Sequence, residues 1–172
     1  MTYATLMVRL EPGRSNAGLL RIARGLAERF HAGVIGIAAC QPMRIIYSEG
    51  YIPGEIIDDD RGEREMEIKA AEAEFRSVLQ AGIGNLEWRS TITSEPLSDY
   101  LAGEARSADL FITGVDQDAS VFDTSRHVDV ADLVMQAGRP VLIVPASADD
   151  LTPDRVLVGW KDGRESDRKS VV

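Results

Sequence analysis

Short apolar runs alternate with segments of helical periodicity along most of the chain. Each run is bounded by turn residues or polar residues, which is typical of buried strands. The predicted strands are residues 4–10, 33–39, 86–93, 109–114 and 141–145. Between them, apolar residues recur at the spacing of one helix face. This alternation predicts an α/β fold in which helices cover both faces of a parallel sheet.

The predicted helices carry start and stop signals. Ser15 or Asn16 is a candidate cap for the first helix, because short polar side chains accept hydrogen bonds from free helical N–H groups. Further helices are predicted over residues 94–105 and 130–137. Gly138 follows the last of these and predicts a left-handed stop.

Residues 41–60 are predicted to be irregular, because two prolines and two glycines interrupt them. The next helix is predicted to begin after the acidic run 58–60, where a helix dipole favours negative charge, and to end near Ala81. Apolar residues in the irregular stretch either fold over the sheet as core or form a ligand lid or partner surface. We favour core.

Composition excludes several classes of partner. Acidic residues outnumber basic ones by 28 to 19, and no run of Lys or Arg is present. Since such residues supply most affinity for phosphates, we expect neither nucleic acid nor anionic membranes as partners. The longest apolar stretch, residues 32–40, is far shorter than the about 20 residues of a membrane span. With no signal-peptide pattern and a single cysteine, we expect a cytoplasmic protein.

The start of the chain recurs near its end. Residues 156–164 match residues 6–14 with a constant shift of 150 positions, each copy an apolar strand, a polar turn and Gly-Arg. One whole α/β unit and a linker separate the copies. We therefore predict a domain over residues 1–145, a linker over 146–154, and the first strand and helix start of a truncated second copy over 155–172.

The second-copy strand lacks the sheet in which both its faces would be buried. Its apolar side chains are worth roughly 1.5–3 kcal/mol each when buried. We expect residues 155–160 to pair as an extra strand near the edge formed by residues 141–144, with Leu157 on one face and Trp160 largely buried on the other.

Two segments resemble the universal stress protein family. Residues 108–114 read Ala-Asp-Leu-Phe-Ile-Thr-Gly and residues 138–145 read Gly-Arg-Pro-Val-Leu-Ile-Val-Pro, and the order and spacing of such pieces are similar to the family's. The repeat looks like the start of a second copy in its tandem members. The resemblance implies an adenine-nucleotide alpha hydrolase-like fold, with five parallel strands in the order 3-2-1-4-5. It also implies homodimers through the fifth strands and a role in stress response.

Family members that bind ATP use a loop after the fourth strand: Gly, two residues, Gly, nine residues, then Gly-Ser or Gly-Thr. Glycines let backbone N–H groups approach phosphate oxygens. Gly114 supplies the first position, but the others fall at Gln117 and at residues 127–128, which are His-Val. Four acidic residues crowd the same loop: Asp116, Asp118, Asp123 and Asp129. The resemblance therefore predicts no nucleotide binding in this copy.

Other candidate sites have simpler interpretations. A calcium loop beginning at Asp116 would need Gly and Glu at its sixth and twelfth positions, where Val and His stand. Ser125, His127 and Asp129 contain hydrolase residue types without a nucleophile elbow. We interpret Ser125 and Asp129 as helix caps and His127 as a surface residue. Cys40 is interpreted as a buried structural thiol with no basic neighbour to lower its pKa.

These observations predict a binding or regulatory module without catalytic or metal-ligating residues. Parallel sheets bind ligands beyond the carboxyl ends of their strands, where the strand order reverses. The expected crevice is lined by Glu11, Ala39, Gly114 and Val115. The alternative is an ATP-binding switch or weak ATPase of the same fold. A flavodoxin-like receiver is more distant, because no lysine ends the fifth strand.

Overall fold

A computed structural model describes residues 3–43, 54–115, 125–151 and 157 of the chain. Five strands and four helices alternate in the described part. They are, in chain order, β1 (Thr5–Leu10), α1 (Ala17–Phe30), β2 (Gly33–Cys40), α2 (Gly54–Leu79), β3 (Leu86–Ile92), α3 (Leu97–Ala105), β4 (Leu110–Gly114), α4 (Val130–Ala137) and β5 (Val141–Val144).

The five strands form one sheet in the order β3-β2-β1-β4-β5, and every pair is parallel. The predicted architecture and strand order are therefore confirmed. At the centre of the sheet, Leu6 of β1 lies opposite Val34 of β2 on one side and Leu110 of β4 on the other. The strand order reverses between β1 and β4, so the switch point lies at their carboxyl ends.

Successive residues of each strand point to opposite faces of the sheet, which separates the core into two layers. On one face, Leu6 and Leu10 pack with Leu20 of α1 and Phe75 of α2. The residues Met7, Phe111, Leu101 of α3 and Leu133 of α4 belong to the layer on the other face. Both faces of the sheet are covered, which explains why the central strands are almost continuously apolar.

The predicted start of the second helix is wrong. α2 begins at Gly54 rather than after Asp60, so the acidic run lies within the helix. From Glu55 onward the sequence holds no helix breaker before Gly62, and one glycine inside a helix costs only about 1 kcal/mol. Asp60 forms an ion pair with Arg64 one turn later, which accounts for an acidic residue at this position.

The third helix also begins later than predicted. α3 starts at Leu97, and Pro96 occupies its cap position. Because a proline disfavours helical conformation in the residue before it, Glu95 stays outside the helix. At the end of α4, Gly138 adopts the predicted left-handed conformation with φ of +60°.

Of residues 155–172 the structure describes Leu157, whose side chain is 97% exposed. The pairing of residues 155–160 as an extra strand stays a prediction. Trp160 and the other predicted strand residues lie outside the described residues, as do the apolar residues of the 44–53 stretch. No helix within the described ranges is long and apolar enough to cross a membrane.

Candidate functional site

A crevice of about 350 Å³ opens at the carboxyl ends of β1, β4 and β5, beside the start of α1. This is the end of the sheet where the switch-point rule places a ligand. Its volume lies within the roughly 300–1,000 Å³ of small-molecule sites. The polar part of its wall consists of Arg9, Glu11, Arg14, Ser15 and Asn16.

Three of the four predicted site residues share this crevice. Glu11 lines it from the end of β1, and Gly114 and Val115 line it from the end of β4. Ala39 does not line it, because its side chain is buried in the layer between the sheet and α3. Whether a ligand contacts the three stays a prediction.

The turn between β1 and α1 is fixed by Asn16. Its side chain was expected to cap α1 but makes no cap hydrogen bond. Instead, the amide oxygen accepts from the backbone N–H of Glu11 at 2.8 Å, and the amide nitrogen donates to the carbonyls of Glu11 and Arg14. The carboxylate of Glu74 on α2 accepts the backbone N–H of Asn16 at 3.1 Å. The first wall of the crevice is therefore tied to α2.

Opposite charges line the crevice together. Arg14 forms an ion pair with Glu11 at 2.9 Å. Gly13 has φ of +78°, and a Cβ placed there would lie 2.6 Å from the Glu67 carboxylate of α2. Glycine is favoured here by the left-handed turn conformation, and a Cβ would also displace the Glu67 carboxylate.

The carboxyl end of β2 is covered by residues 125–128, which we call the 125–128 segment. The backbone N–H of Gln41 donates to the Ser125 carbonyl at 2.7 Å. The buried Arg9 side chain of β1 donates to the Arg126 carbonyl at 2.8 Å. Val128 is buried in the layer beneath α3 and α4. The crevice that Glu11 and Gly114 line therefore lies on the β1, β4 and β5 side of the switch point, with the 125–128 segment on the β2 side.

Two charged contacts join this segment to α2. Arg64 donates to the Ser125 hydroxyl at 2.7 Å and pairs with Asp60 at 2.8 Å, and both charged side chains are about nine-tenths buried. Nη2 of Arg126 lies 2.8 and 2.6 Å from the two carboxylate oxygens of Glu67. The buried charge of Arg64 thus has the opposite charge of Asp60 beside it, as burial requires.

These contacts correct two predictions. Ser125 is not a helix cap, since it anchors the 125–128 segment to Arg64 and Gln41. Cys40 is buried as expected, and burial raises the pKa of its thiol. It nevertheless has basic neighbours, because Arg64 and Arg126 act to lower that pKa. Exposure of His127 is confirmed.

The start of α4, the helix that follows the β4 loop, is already occupied by a carboxylate. Oδ1 of Asp129 accepts the backbone N–H groups of Ala131 at 2.9 Å and Asp132 at 3.1 Å, which confirms the predicted cap. Asp132 adds a second acidic side chain to the first turn. Two N–H groups that could have met a phosphate therefore bind the chain's own carboxylate.

Among the described residues, no group of three or more His, Cys, Asp or Glu side chains could hold a metal ion. Three of the acidic residues predicted to crowd the β4 loop, and the candidate calcium loop that begins at Asp116, lie outside the described residues. The described part of that loop consists of Gly114 and Val115 before the gap and the 125–128 segment after it.

The contacts between α2 and the 125–128 segment were missed from the sequence. Arg64 meets Ser125, and Glu67 meets Arg126, only through the fold, because about 60 residues separate the partners. One signal was present: Arg9 interrupts an otherwise apolar run, and a charge in a buried strand needs a partner.

The chain is similar to known proteins in its fold. No protein-family model matches it, and no curated protein matches it, but several solved structures have a similar fold. A universal stress family protein from Burkholderia pseudomallei is 23% identical with a TM-score of 0.56, covering 84% of this chain and 97% of that one.

Two further structures agree. A universal stress protein from Lactobacillus plantarum, 14% identical, has a TM-score of 0.62 and covers 84% of this chain and 99% of its own. One from Archaeoglobus fulgidus, solved in complex with dAMP, is 16% identical with a TM-score of 0.56, covering 83% of this chain and 98% of its own. The chain therefore has the universal stress protein fold, which is adenine-nucleotide alpha hydrolase-like, as the sequence resemblance predicted.

Proposed function

We propose that the chain is a universal stress protein that acts as a binding or regulatory module in stress response, without catalysis and without nucleotide binding in this copy. The fold supports the family, and the predicted crevice residues Glu11, Gly114 and Val115 lie together at the end of the sheet where ligands of such folds bind. A cytoplasmic location is part of the proposal and rests on the sequence alone.

The main support for the proposed lack of nucleotide binding is the cap at the start of α4. In the Archaeoglobus relative the fold is solved with dAMP bound. Here the Asp129 carboxylate takes the N–H groups of Ala131 and Asp132. Helix N-termini bind phosphate through such free N–H groups, and a fixed carboxylate in their place repels a phosphate. The sequence lacks the second and third glycine positions of the phosphate loop as well.

The crevice favours a small polar ligand. Its wall presents arginine, glutamate, hydroxyl and amide groups from β1 and the start of α1, with apolar side chains at the end of β5. Such a mixture of an apolar surface with a few polar groups is typical of small-molecule sites. The charges Arg14 and Glu11 are already paired, so a ligand has to match both signs or displace the pair.

Calorimetry with ATP and dAMP tests the proposal. We expect no binding heat up to millimolar nucleotide for the wild type. The Asp129→Asn variant keeps a cap acceptor and removes the charge, and so separates the effect of charge from that of loop geometry. Micromolar affinity of the wild type would overturn the proposal and favour the ATP-binding switch. A phosphate-release assay on the same samples would then decide whether the chain is a weak ATPase.

We also propose a homodimer through the free edge of β5, residues Val141–Val144. This strand pairs with β4 on one side, and the described residues include no partner on its other side. At the opposite edge, Arg89 of β3 pairs with Glu87 and Glu104, and charged edges resist strand addition. The two edges therefore differ in a way that favours association through β5.

Residues 155–172 are proposed to begin a second copy of the domain. The support is the match between residues 156–164 and residues 6–14. The mass of the protein isolated from its native cells tests the idea. A product near twice the 18.8 kDa of this chain is expected, and a native product of 18.8 kDa would contradict it.

A further inference from the structure

We infer that the 125–128 segment is a built-in cover over the carboxyl end of β2, held there in part by Arg64 and Glu67 of α2, and that opening of the Arg126–Glu67 pair uncovers this strand end. The inference rests on the proposed function for its biological meaning, because the covered strand end lies beside the proposed ligand crevice. Its physical content is an autoinhibitory contact within one domain.

The contacts of the segment resemble those of a bound ligand. Its backbone carbonyls accept hydrogen bonds from the Gln41 N–H at the end of β2 and from the Arg9 side chain of β1. Its Ser125 hydroxyl accepts from Arg64, and its Arg126 side chain binds Glu67. The Gln41 N–H and Nη2 of Arg9 are thus engaged by the chain itself.

The contacts differ in how easily they open. The Arg64–Asp60 pair lies within α2, about nine-tenths buried, and would survive departure of the segment. The Arg126–Glu67 pair joins the segment to α2, and its side chains are each more than a fifth exposed. A partly solvated pair contributes less than a buried one and is weakened by salt. It is therefore the contact expected to open first.

Cys40 offers a direct readout of this opening. It is the single cysteine of the chain, it is fully buried, and the charges of Arg64, Arg126 and Glu67 all act on its thiol. Alkylation by iodoacetamide at constant pH gives one adduct, counted by mass spectrometry. When opening is faster than alkylation, the labelling rate is proportional to the population of the open form.

The diagnostic variant is Arg126→Gln. The Arg126 charge lowers the pKa of the Cys40 thiol, so its loss raises that pKa and reduces the thiolate fraction. Because the thiolate is the reactive form, this effect alone would slow the labelling of Cys40 in the variant. Faster labelling would therefore report opening. Arg76→Gln is the matched control, because it removes an arginine that pairs with Glu72, an α2 carboxylate like Glu67, at an exposed site away from the segment. Ser125→Ala is a milder second variant that removes the hydroxyl partner of Arg64.

We expect Arg126→Gln to label about tenfold faster than the wild type and the Arg76→Gln control, and Ser125→Ala to show a smaller increase. The rate above that of the control should change little in low urea, because a local opening exposes little surface. The double variant Glu67→Arg/Arg126→Glu, which exchanges the two charges, should restore slow labelling. A rate within about twofold of the control, or an excess that rises with urea as global unfolding does, would overturn the inference.

The result is distinguishable from that of the nucleotide experiment. If the wild type binds ATP while Cys40 labelling responds to Arg126→Gln as expected, the proposed function fails and the built-in contact stands. If neither variant changes labelling while ATP binding is absent, the contact fails and the proposed function stands.

Discussion

Asp109, which precedes β4, accepts a hydrogen bond at 2.8 Å from the backbone N–H of Ala4, which precedes β1, although 105 positions separate the two residues. The same carboxylate oxygen accepts the N–H of Thr5 at 3.0 Å. The carboxylate thus joins the amino ends of the two central strands, opposite the crevice. The Ala-Asp-Leu piece of the sequence therefore has a structural role.

Replacement of Asp109 by Asn should lower the stability of the domain at neutral pH. Hydrogen bonds from Ala4 and Thr5 lower the pKa of Asp109 in the folded protein. A depressed folded-state pKa means that the stabilisation is present above the unfolded value of about 3.9 and is lost as pH falls through the folded value. We expect a loss of at most about 1 kcal/mol, because solvent screens the group.

Urea unfolding of the wild type and Asp109→Asn at pH 7 and near pH 3 measures this effect. The difference in unfolding free energy between the two proteins should shrink at the lower pH. A difference that is the same at both pH values would show that the charge of Asp109 has no part in it.

Gly138→Ala should destabilise the domain by about 1 kcal/mol, since left-handed backbone is unfavourable for residues with a Cβ. Gly138 has φ of +60°, and a Cβ there would meet no atom within 4 Å, so backbone conformation alone causes the effect. Gly103→Ala is the matched control: it is also open but lies inside α3, where alanine should stabilise by about 0.5–1 kcal/mol. Thermal melts with the same sign for both variants would contradict this account.

The fold was predictable because its determinants are local. Strands and helices differ in the period of their apolar residues, and the stop at Gly138 can be read from one residue and the proline that follows closely. Asn16 shows the limit of local rules. Its residue type predicts a cap, but the carboxylate of Glu74, 58 positions away, and the carbonyls of the preceding turn bind its polar atoms instead.

The candidate site was predictable only in part for the same reason. The ends of β1 and β4 lie side by side because of the strand order, and Glu11 and Gly114 both line the crevice. Ala39 lies near the end of the adjacent strand β2, yet it does not line the crevice. The 125–128 segment covers that end of the sheet through contacts such as Ser125 with Arg64, 61 positions apart. No sequence period records such a contact.

Gly36→Ala should destabilise the domain by about 1–3 kcal/mol through overpacking. A Cβ at Gly36 would lie 2.7 Å from a Trp88 ring atom and 2.8 Å from the Phe75 ring, and these two rings pack against each other with centroids 5.5 Å apart. Neither ring can move away without loss of that contact. Gly62→Ala in α2, where a Cβ meets nothing within 4 Å, is the control.

Urea unfolding gives the unfolding free energies of both variants. Gly36→Ala as stable as the wild type would mean that the close approach of β2 to Trp88 is not required for packing.

The proposed dimer predicts that Ile143→Lys weakens association at least about tenfold, because a lysine on a paired edge strand must lose its hydration. Ile143 of β5 is 41% exposed, so apolar surface accompanies the free strand edge. Two copies can bury this surface about a two-fold axis.

Ile56→Lys on α2 is the matched control, since Ile56 is 46% exposed and lies away from β5. Sedimentation at tens of micromolar should show a dimer for the wild type and Ile56→Lys and a monomer for Ile143→Lys. A monomeric wild type, or equal association of both variants, would show that the β5 edge is not the interface.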